Sequence, residues 1–306
     1  MGKKVLFMGT PNYATKIFEE ILNSSYEIVG LFTQPDKPIG RKQVITAPHI
    51  KQFCIDNNLN IPIYQPEKLR NNQDSKQQIE ALNPDFIIVA AYGQILPKEI
   101  LDIAPCINLH ASLLPKYRGA SPIQESLLNG DTYTGVTSML MAEGLDSGDI
   151  LGLKYFKIPK TMEVAELFSK LSQLASKLTI ETLDNFERIS PKVQNEINVS
   201  YCKKIKKEHG EVSFENAEAL YKKYKAYSYW PGVYLKSGLK LKKISLVEKK
   251  SLNNAGEILA IEDDGIIIAC QKGSLKIAVL QAPSKKEVKS LEYIRGQRIS
   301  IGSLLT

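Results

Sequence analysis

The stretch DFIIVAA, residues 85–91, ends at Tyr92-Gly93. It is continuously apolar rather than alternating, as expected of a strand that is buried on both faces of a parallel sheet. Shorter apolar runs of the same kind occur at residues 4–8 and 27–33, and a segment with helical spacing lies between those two. Strands separated by helices predict a doubly wound, mostly parallel α/β sheet, in which ligands bind at the carboxyl ends of the strands.

The second half of the chain is organised differently. Residues 161–185 carry an apolar stripe with helical spacing, whereas residues 189–202 include Pro191, show no hydrophobic period and indicate a linker. Short alternating segments separated by turn signals follow a helix predicted at residues 215–227, and such segments are typical of a small OB-like β-barrel. We therefore predict three parts: an α/β domain at residues 1–188, the linker at residues 189–202 and the barrel at residues 203–306.

The charge of the chain is unevenly distributed. Residues 1–202 carry 20 Lys and Arg against 22 Asp and Glu, whereas residues 203–306 carry 20 against 11 and so have a net charge of +9. Such a bias attracts polyanions such as nucleic acid, through steering and counterion release. Lysines that serve only solubility are the alternative, and charge alone does not decide between the two.

Composition and motifs exclude several classes of protein. No apolar run approaches the roughly 20 residues of a membrane helix, and the apolar run near the start of the chain is too short for the apolar region of a secretory signal. The scattered Cys54, Cys106, Cys202 and Cys270 indicate reduced thiols in the cytoplasm and no zinc site. The turn at residues 9–12 (GTPN) lacks the G-x-G-x-x-G fingerprint and no P-loop occurs, which argues against dinucleotide and P-loop enzymes.

Two polar residues interrupt the apolar pattern of the next predicted strand, which opens the stretch CINLHASLLP at residues 106–115. Asn108 and His110 are two positions apart, so their side chains leave the strand on the same face, near its carboxyl end. Sheets of this type bind ligands at that edge. A polar pair that ties the strand end to a loop is the alternative interpretation.

Asp146 is a third candidate, because it lies in the loop EGLDSGD (residues 143–149), whose glycines allow close approach to another backbone. A turn aspartate that bonds to its own backbone is the alternative. Together, an amide, an imidazole and a carboxylate suit acyl-group transfer, since the amide donates to the developing oxyanion and the imidazole moves protons near neutral pH. No G-x-S-x-G elbow occurs, so we expect direct attack by an amine rather than a covalent acyl-enzyme.

These residues and several longer runs resemble the folate-dependent formyltransferases, especially the members that act on tRNA. Beyond Asn108-x-His110 and the Asp146 loop, the runs are FTQPDKPIGRK (residues 32–42), AYGQILP (residues 91–97), SLLPKYRGASPIQ (residues 112–124) and YWP (residues 229–231). The resemblance extends over nearly the whole chain. It implies a formyltransferase-type doubly wound domain, a linker and an OB-like C-terminal barrel, which is the outline that the apolar pattern also predicts.

The resemblance further implies the reaction. A formyl group would move from 10-formyltetrahydrofolate to the amino group of methionine on initiator tRNA, without a metal. Asn108 would stabilise the oxyanion, His110 would polarise the formyl oxygen and shuttle protons, and Asp146 would support His110 and help to deprotonate the amine. Because no long exposed apolar stripe demands a dimer, we expect a monomer.

Two further sets of residues are implied to bind the substrates. The folate donor would be lined by Ala90, Ala91, Tyr92, Ile95, Leu96, Ser112, Leu113, Leu114 and Pro115. The tRNA would be contacted by Arg41 and Lys42 in the loop at residues 34–46, and by the basic C-terminal domain, including Lys203, Lys204, Lys206 and Lys207.

Two other functions are compatible with parts of the sequence. Formylation of a small amine such as a nucleotide sugar would use the same chemistry, but a small acceptor does not require a C-terminal domain with a net charge of +9. A non-catalytic RNA-binding protein on an enzyme scaffold is the other, and the presence of Asn108, His110 and Asp146 argues against it.

Overall fold

The computed structural model describes residues 2–40 and 42–306, so the predicted tRNA contact of Arg41 lies outside the described residues. These residues separate into two compact units. Unit 1 comprises residues 2–122, 133–157 and 168–202, and unit 2 comprises residues 123–132, 158–167 and 203–306.

A seven-stranded sheet forms the centre of unit 1. The strands of this unit are β1 (Lys4–Gly9), β2 (Glu27–Phe32), β3 (Lys37–Ile39), β4 (Val44–Thr46), β5 (Ile63–Tyr64), β6 (Phe86–Ala90), β7 (Cys106–His110), β8 (Arg118–Gly119), β9 (Tyr133–Leu140), β10 (Ile150–Lys157) and β11 (Tyr201–Cys202). The order in the sheet is β10-β9-β7-β6-β1-β2-β5; β9 runs antiparallel to both of its neighbours, β7 and β10, and the other six strands all run in one direction. The predicted mostly parallel sheet is confirmed.

Helices alternate with strands along the first 185 residues. The helices up to residue 185 are α1 (Asn12–Leu22), α2 (His49–Asp56), α3 (Gln73–Leu82), α4 (Lys98–Leu101), α5 (Pro122–Asn129) and α6 (Val164–Asn185). Neighbouring strands bury Phe7, Ile88 and Ile107 completely, which stabilises the fold by about 1.5–3 kcal/mol for each side chain. No helix among the described residues is long and apolar enough to cross a membrane.

The loop predicted at residues 34–46 contains regular structure. Two segments within it, Lys37–Ile39 and Val44–Thr46, pair as an antiparallel hairpin. The turn uses the left-handed backbone of Gly40, with φ of 72°. Strands of three residues are too short to show a period of two, which is why the apolar pattern did not identify them.

Unit 2 is built around an antiparallel sheet. Within residues 203–306, its helices and strands are α7 (Ala217–Tyr227), β12 (Val233–Tyr234), β13 (Lys240–Leu252), β14 (Ile258–Glu262), β15 (Gly265–Ala269), β16 (Lys272–Gln281), β17 (Val288–Lys289) and α8 (Ser290–Gly296). The sheet order is β12-β13-β16-β15-β14, and β17 pairs with β16. The predicted series of short antiparallel strands in the last third of the chain is confirmed, although β13 extends to Leu252 through two irregularities in its register.

Candidate active site

Asn108 and His110 lie on β7, between the parallel strand β6 and the antiparallel strand β9. The side chains are buried, with 9% and 6% of each residue exposed. Both side chains approach Asp146, as the spacing of two along a strand predicts. The pleat of a fully paired strand therefore fixes the distance between the amide and the imidazole.

The carboxylate of Asp146 is the meeting point of three groups. One oxygen, Oδ1, accepts a hydrogen bond from Asn108 Nδ2 at 3.3 Å. The other, Oδ2, accepts a hydrogen bond from the backbone N–H of Gly119 at 2.8 Å and lies 3.7 Å from His110 Nδ1. The structure thus brings together the three residues predicted to be catalytic, and the carboxylate bonds to other elements rather than to its own turn.

The imidazole of His110 has a defined orientation. Its Nε2 lies 2.9 Å from the carbonyl oxygen of Tyr117. A carbonyl can only accept a hydrogen bond, so Nε2 carries a proton and donates it. The nitrogen left for proton exchange is Nδ1, which faces Asp146. The side-chain amide of Asn108 has two N–H groups. One donates to Asp146, and the other can donate to an oxygen of a substrate.

Three residues at this site have left-handed backbone. The φ angles are 45° at Ala91, 60° at Tyr117 and 47° at Asp146. For a residue with a side chain this region costs about 1–2 kcal/mol, and it persists only where the surroundings hold it. Strain of this kind concentrates at functional sites. Here Ala91 directly follows β6, Tyr117 holds the ring of His110 through its carbonyl, and Asp146 carries the carboxylate.

The turn Ser112–Pro115, predicted to line the folate pocket, is held in place by β9. The hydroxyl of Thr137 donates to the carbonyl of Ser112 at 2.7 Å and accepts from the backbone N–H of Leu114 at 3.0 Å. The hydroxyl of Ser112 donates to the carbonyl of Lys116. Ser112 and Leu114 are buried, whereas Leu113 and Pro115 are half-buried and are the members of the turn that a ligand can reach.

The other predicted folate residues lie at the end of β6 and in the segment directly after it. Ala90, Tyr92 and Leu96 are buried, and the side chains of Tyr92 and Leu96 belong to the hydrophobic core beneath the sheet. Any contact that these two make with a ligand is therefore through the main chain. Ala91 is exposed and Ile95 is 76% exposed, so their side chains are accessible.

Sequence patterns did not identify two residues that support this site, Arg118 and Gln194. Arg118 is 2% exposed; its guanidinium donates to Gln194 Oε1 at 2.9 and 3.0 Å and to Glu196 Oε1 at 2.7 Å. Burial by itself lowers the pKa of Arg118, but the hydrogen bonds and charges of Glu196 and Tyr201 together outweigh burial and raise it. Gln194 lies in an aperiodic segment, where no sequence signal could have revealed it.

The base of the β3–β4 hairpin is fixed by a second polar cluster. Lys51 Nζ donates to Asp36 Oδ2 at 2.8 Å and to Gln65 Oε1 at 2.7 Å, and Gln65 Nε2 donates to Asp36 Oδ1 at 2.7 Å. The hydrogen bond from Gln65, followed by that from Lys51, lowers the pKa of Asp36 below its ordinary value. Lys42, predicted to contact tRNA, is exposed between the two strands of the hairpin.

The remaining predicted tRNA-binding residues lie in unit 2. Lys203, Lys204, Lys206 and Lys207 are exposed, and Lys206 forms an ion pair with Glu208 at 3.6 Å. Among the residues that the structure describes, no cluster of three or more His, Cys, Asp or Glu side chains is placed to hold a metal ion.

Residues 3–183 match the family described as formyl transferase, and residues 204–298 match the formyl transferase C-terminal domain. The chain belongs to the formyl transferase family. Within it, the chain is 54% identical over 299 residues to the methionyl-tRNA formyltransferase of a Nitratiruptor species, covering 98% of each chain. It is 52% identical over 304 residues to that of Sulfurimonas denitrificans, covering 99% of this chain and all of the relative.

Two more distant solved structures share the fold. The N-formyltransferase of Helicobacter canadensis, solved with folinic acid and dTDP-3-aminofucose, superposes with a TM-score of 0.67 at 16% identity, covering 94% of this chain and all of that one. HypX from Aquifex aeolicus in complex with tetrahydrofolic acid superposes with a TM-score of 0.66 at 18% identity, covering 96% of this chain and 47% of that one.

We predict that Asp36→Asn lowers the free energy of unfolding by about 1 kcal/mol at pH 7, since it removes the charged partner of Lys51. The pKa of Asp36 is lower in the folded state than the value of about 3.9 for an unfolded chain. The ionised group therefore stabilises the fold above that pH, and its contribution disappears as pH falls through the folded-state pKa.

Urea unfolding at a series of pH values measures this effect. The difference between Asp36→Asn and the unsubstituted protein should be largest near neutrality and decrease below pH 4. Asp56→Asn is the matched control, because Asp56 is exposed on α2 and accepts a hydrogen bond from Gln52. A difference for Asp36→Asn that is constant with pH would contradict the assignment.

Proposed function

We propose that the protein transfers the formyl group of 10-formyltetrahydrofolate to the amino group of methionine on initiator methionyl-tRNA, giving N-formylmethionyl-tRNA for translation initiation. One observation carries the proposal. A chain 54% identical over almost its whole length to a methionyl-tRNA formyltransferase holds an amide, an imidazole and a carboxylate in contact at the end of a central strand.

The first chemical step is attack of the methionine amino nitrogen on the formyl carbon of the donor. A C–N bond forms and the formyl oxygen takes a negative charge. We assign stabilisation of this oxyanion to Asn108, whose amide has one N–H directed at Asp146 and a second for the substrate. A preorganised donor of this kind changes the rate by about 10²–10³-fold. Once its Nδ1 has taken up a proton, His110 polarises the same oxygen.

Proton transfer completes the reaction. The attacking amine loses a proton, and the N10 nitrogen of tetrahydrofolate gains one as its bond to the formyl carbon breaks, so protons balance. His110 Nδ1 and the carboxylate of Asp146 are the groups we assign to this transfer, because they face each other at 3.7 Å. Either accepts the amine proton, and the pair then supplies the proton that N10 requires.

The donor site we propose lies beside these residues. It comprises the turn Ser112, Leu113, Leu114 and Pro115 together with Ala90, Ala91, Tyr92, Ile95 and Leu96. The two hydrogen bonds between Thr137 and the turn support a preformed wall for the folate ring system. The exposed side chain of Ile95 offers an apolar surface beside it.

We propose that three parts of the chain divide the work: a formyltransferase catalytic domain at residues 1–188, a connecting segment at residues 189–202 and a basic tRNA-binding domain at residues 203–306. The net charge of +9 on the last part supports phosphate binding, with Lys203, Lys204, Lys206 and Lys207 at its start. Lys42 would contact the acceptor stem from the hairpin, and we propose Arg41 as a second contact to the tRNA.

We further propose that the enzyme acts in the cytoplasm as a monomer. All four cysteines are buried thiols that form no disulfide, which suits a reducing compartment. Burial raises the pKa of Cys54 and Cys270 to about 11 and that of Cys106 to about 12, so these thiols stay protonated at neutral pH.

The proposal is tested by incubating the protein with 10-formyltetrahydrofolate and one of two acceptors, charged initiator tRNA or a dTDP-linked amino sugar. We expect formylmethionine on the tRNA and no formylated sugar. Uncharged initiator tRNA is the control, since it lacks the attacking amine. Formylation of the sugar alone would replace the proposed acceptor, and formylation of neither would reject the proposed reaction.

We predict that Asn108→Ala, His110→Ala and Asp146→Ala each lower kcat for formylation by about 10²–10⁴-fold, as expected for the loss of an oxyanion donor or a proton-transfer group. Single-turnover assays with saturating donor measure this. Asn57→Ala is the control, because Asn57 is an exposed residue at the end of α2. Near-normal turnover in all three variants would refute the site.

We predict that the affinity for tRNA falls steeply as the salt concentration rises. In the double variant Lys206→Gln, Lys207→Gln, the slope of log affinity against log salt concentration should become shallower by about one for each phosphate that the protein no longer binds. Filter binding between 50 and about 300 mM salt measures the slope. Lys98→Gln, which removes an exposed lysine paired with Asp102 in unit 1, should leave the slope unchanged. Equal slopes for all three proteins would reject the assignment of these lysines to phosphate binding.

A further inference from the structure

Gln194 is a buried residue in the segment that the sequence predicts to be a linker. It is 4% exposed, and its amide is fully engaged. Nε2 donates to the backbone carbonyls of Asp146 at 2.9 Å and Gly148 at 2.8 Å, and Oε1 accepts from Arg118. One side chain therefore uses both of its N–H groups on the loop that carries the candidate catalytic carboxylate.

Arg118 fixes which way the amide of Gln194 points. A guanidinium only donates, so the oxygen of the amide must face it and the nitrogen must face the loop. Arg118 is itself held by Glu196, which accepts at 2.7 and 3.4 Å. The orientation of Gln194 follows from charge and geometry and has no equally good alternative.

The loop at residues 141–149 needs such a restraint. Asp146 has a left-handed backbone with φ of 47°, a conformation that is unfavourable for residues with a side chain. Two hydrogen bonds to the carbonyls on either side of Ser147 oppose its relaxation to another conformation. The carboxylate can then stay at 2.8 Å from the backbone N–H of Gly119 and face His110.

We propose that Gln194, oriented by Arg118, is a positioning residue for formyl transfer, which holds the Asp146 loop so that the carboxylate meets Asn108 and His110. This inference rests on the proposed function. It makes the segment at residues 189–202 a structural part of the catalytic centre. Gln194 acts through Asp146, so its loss should reduce kcat and leave the KM values for donor and tRNA nearly unchanged.

The test compares Gln194→Ala and Gln194→Glu. The glutamate has the same shape and keeps an oxygen for Arg118, but it places a second acceptor against two carbonyls. We expect kcat to fall by about 10–100-fold in both variants, with KM values within about threefold. Val193→Ala is the matched control, because Val193 is the neighbouring residue and its side chain is 83% exposed.

A double-mutant cycle with Asp146→Asn separates positioning from a general effect on folding. If Gln194 acts through the carboxylate, Gln194→Ala should lower kcat by less than about threefold in the Asp146→Asn background. Circular dichroism sets an assay temperature at which every variant is folded. The inference would be overturned if Gln194→Ala lowered kcat by the same large factor in both backgrounds. It would also be overturned by normal turnover of Gln194→Glu, or by an effect on KM alone. Unimpaired turnover of Asp146→Asn alone would instead refute the proposed role of Asp146.

Discussion

The carboxylate of Asp146 is the constraint on which the geometry of this site depends. It joins Asn108 and His110 on β7, the backbone of Gly119 and its own loop. A carboxylate side chain that is only 13% exposed is costly unless hydrogen bonds replace its water, and here the replacements come from separate parts of the chain. Each part can therefore reach its final position only when the others are present.

The surrounding polar cluster is better explained by geometry than by stability. Arg118 and Glu196 form an ion pair in which the guanidinium is almost fully buried, and pairs of this kind contribute little net stability because desolvation offsets their attraction. The role of the pair is to orient Gln194, because Arg118 can only donate and so fixes which side of the amide faces it. The same cluster restrains Asp146, whose left-handed backbone would release about 1–2 kcal/mol on relaxing.

The sequence predicted the parts of the site that arise from local periodicity. The apolar runs identified β6 and β7, and the spacing of two between Asn108 and His110 placed both on one face. The Gly-rich loop pointed to Asp146, although its contact with the pair required the folded structure. Gln194 and Arg118 could not be predicted, because they meet across 76 positions of sequence and neither follows a pattern. The hairpin β3–β4 was missed because its strands have only three residues each.

The last segment of unit 1 closes the site from two directions. The side chain of Gln194 contacts the side chain of Arg118. The contacts further along the segment are between backbones: the carbonyl of Ser200 accepts a hydrogen bond from the backbone N–H of Arg118 at 2.9 Å, and Tyr201–Cys202 pairs with β8. A side chain at Gly119 would overlap the carbonyl of Cys202, so the two strands approach as closely as glycine permits. The turn that supports both His110 and Asp146 is thus held between two parts of one segment. The minimal unit able to assemble this geometry therefore extends to Cys202, beyond the long helix α6 at which the apolar pattern of the α/β domain ends.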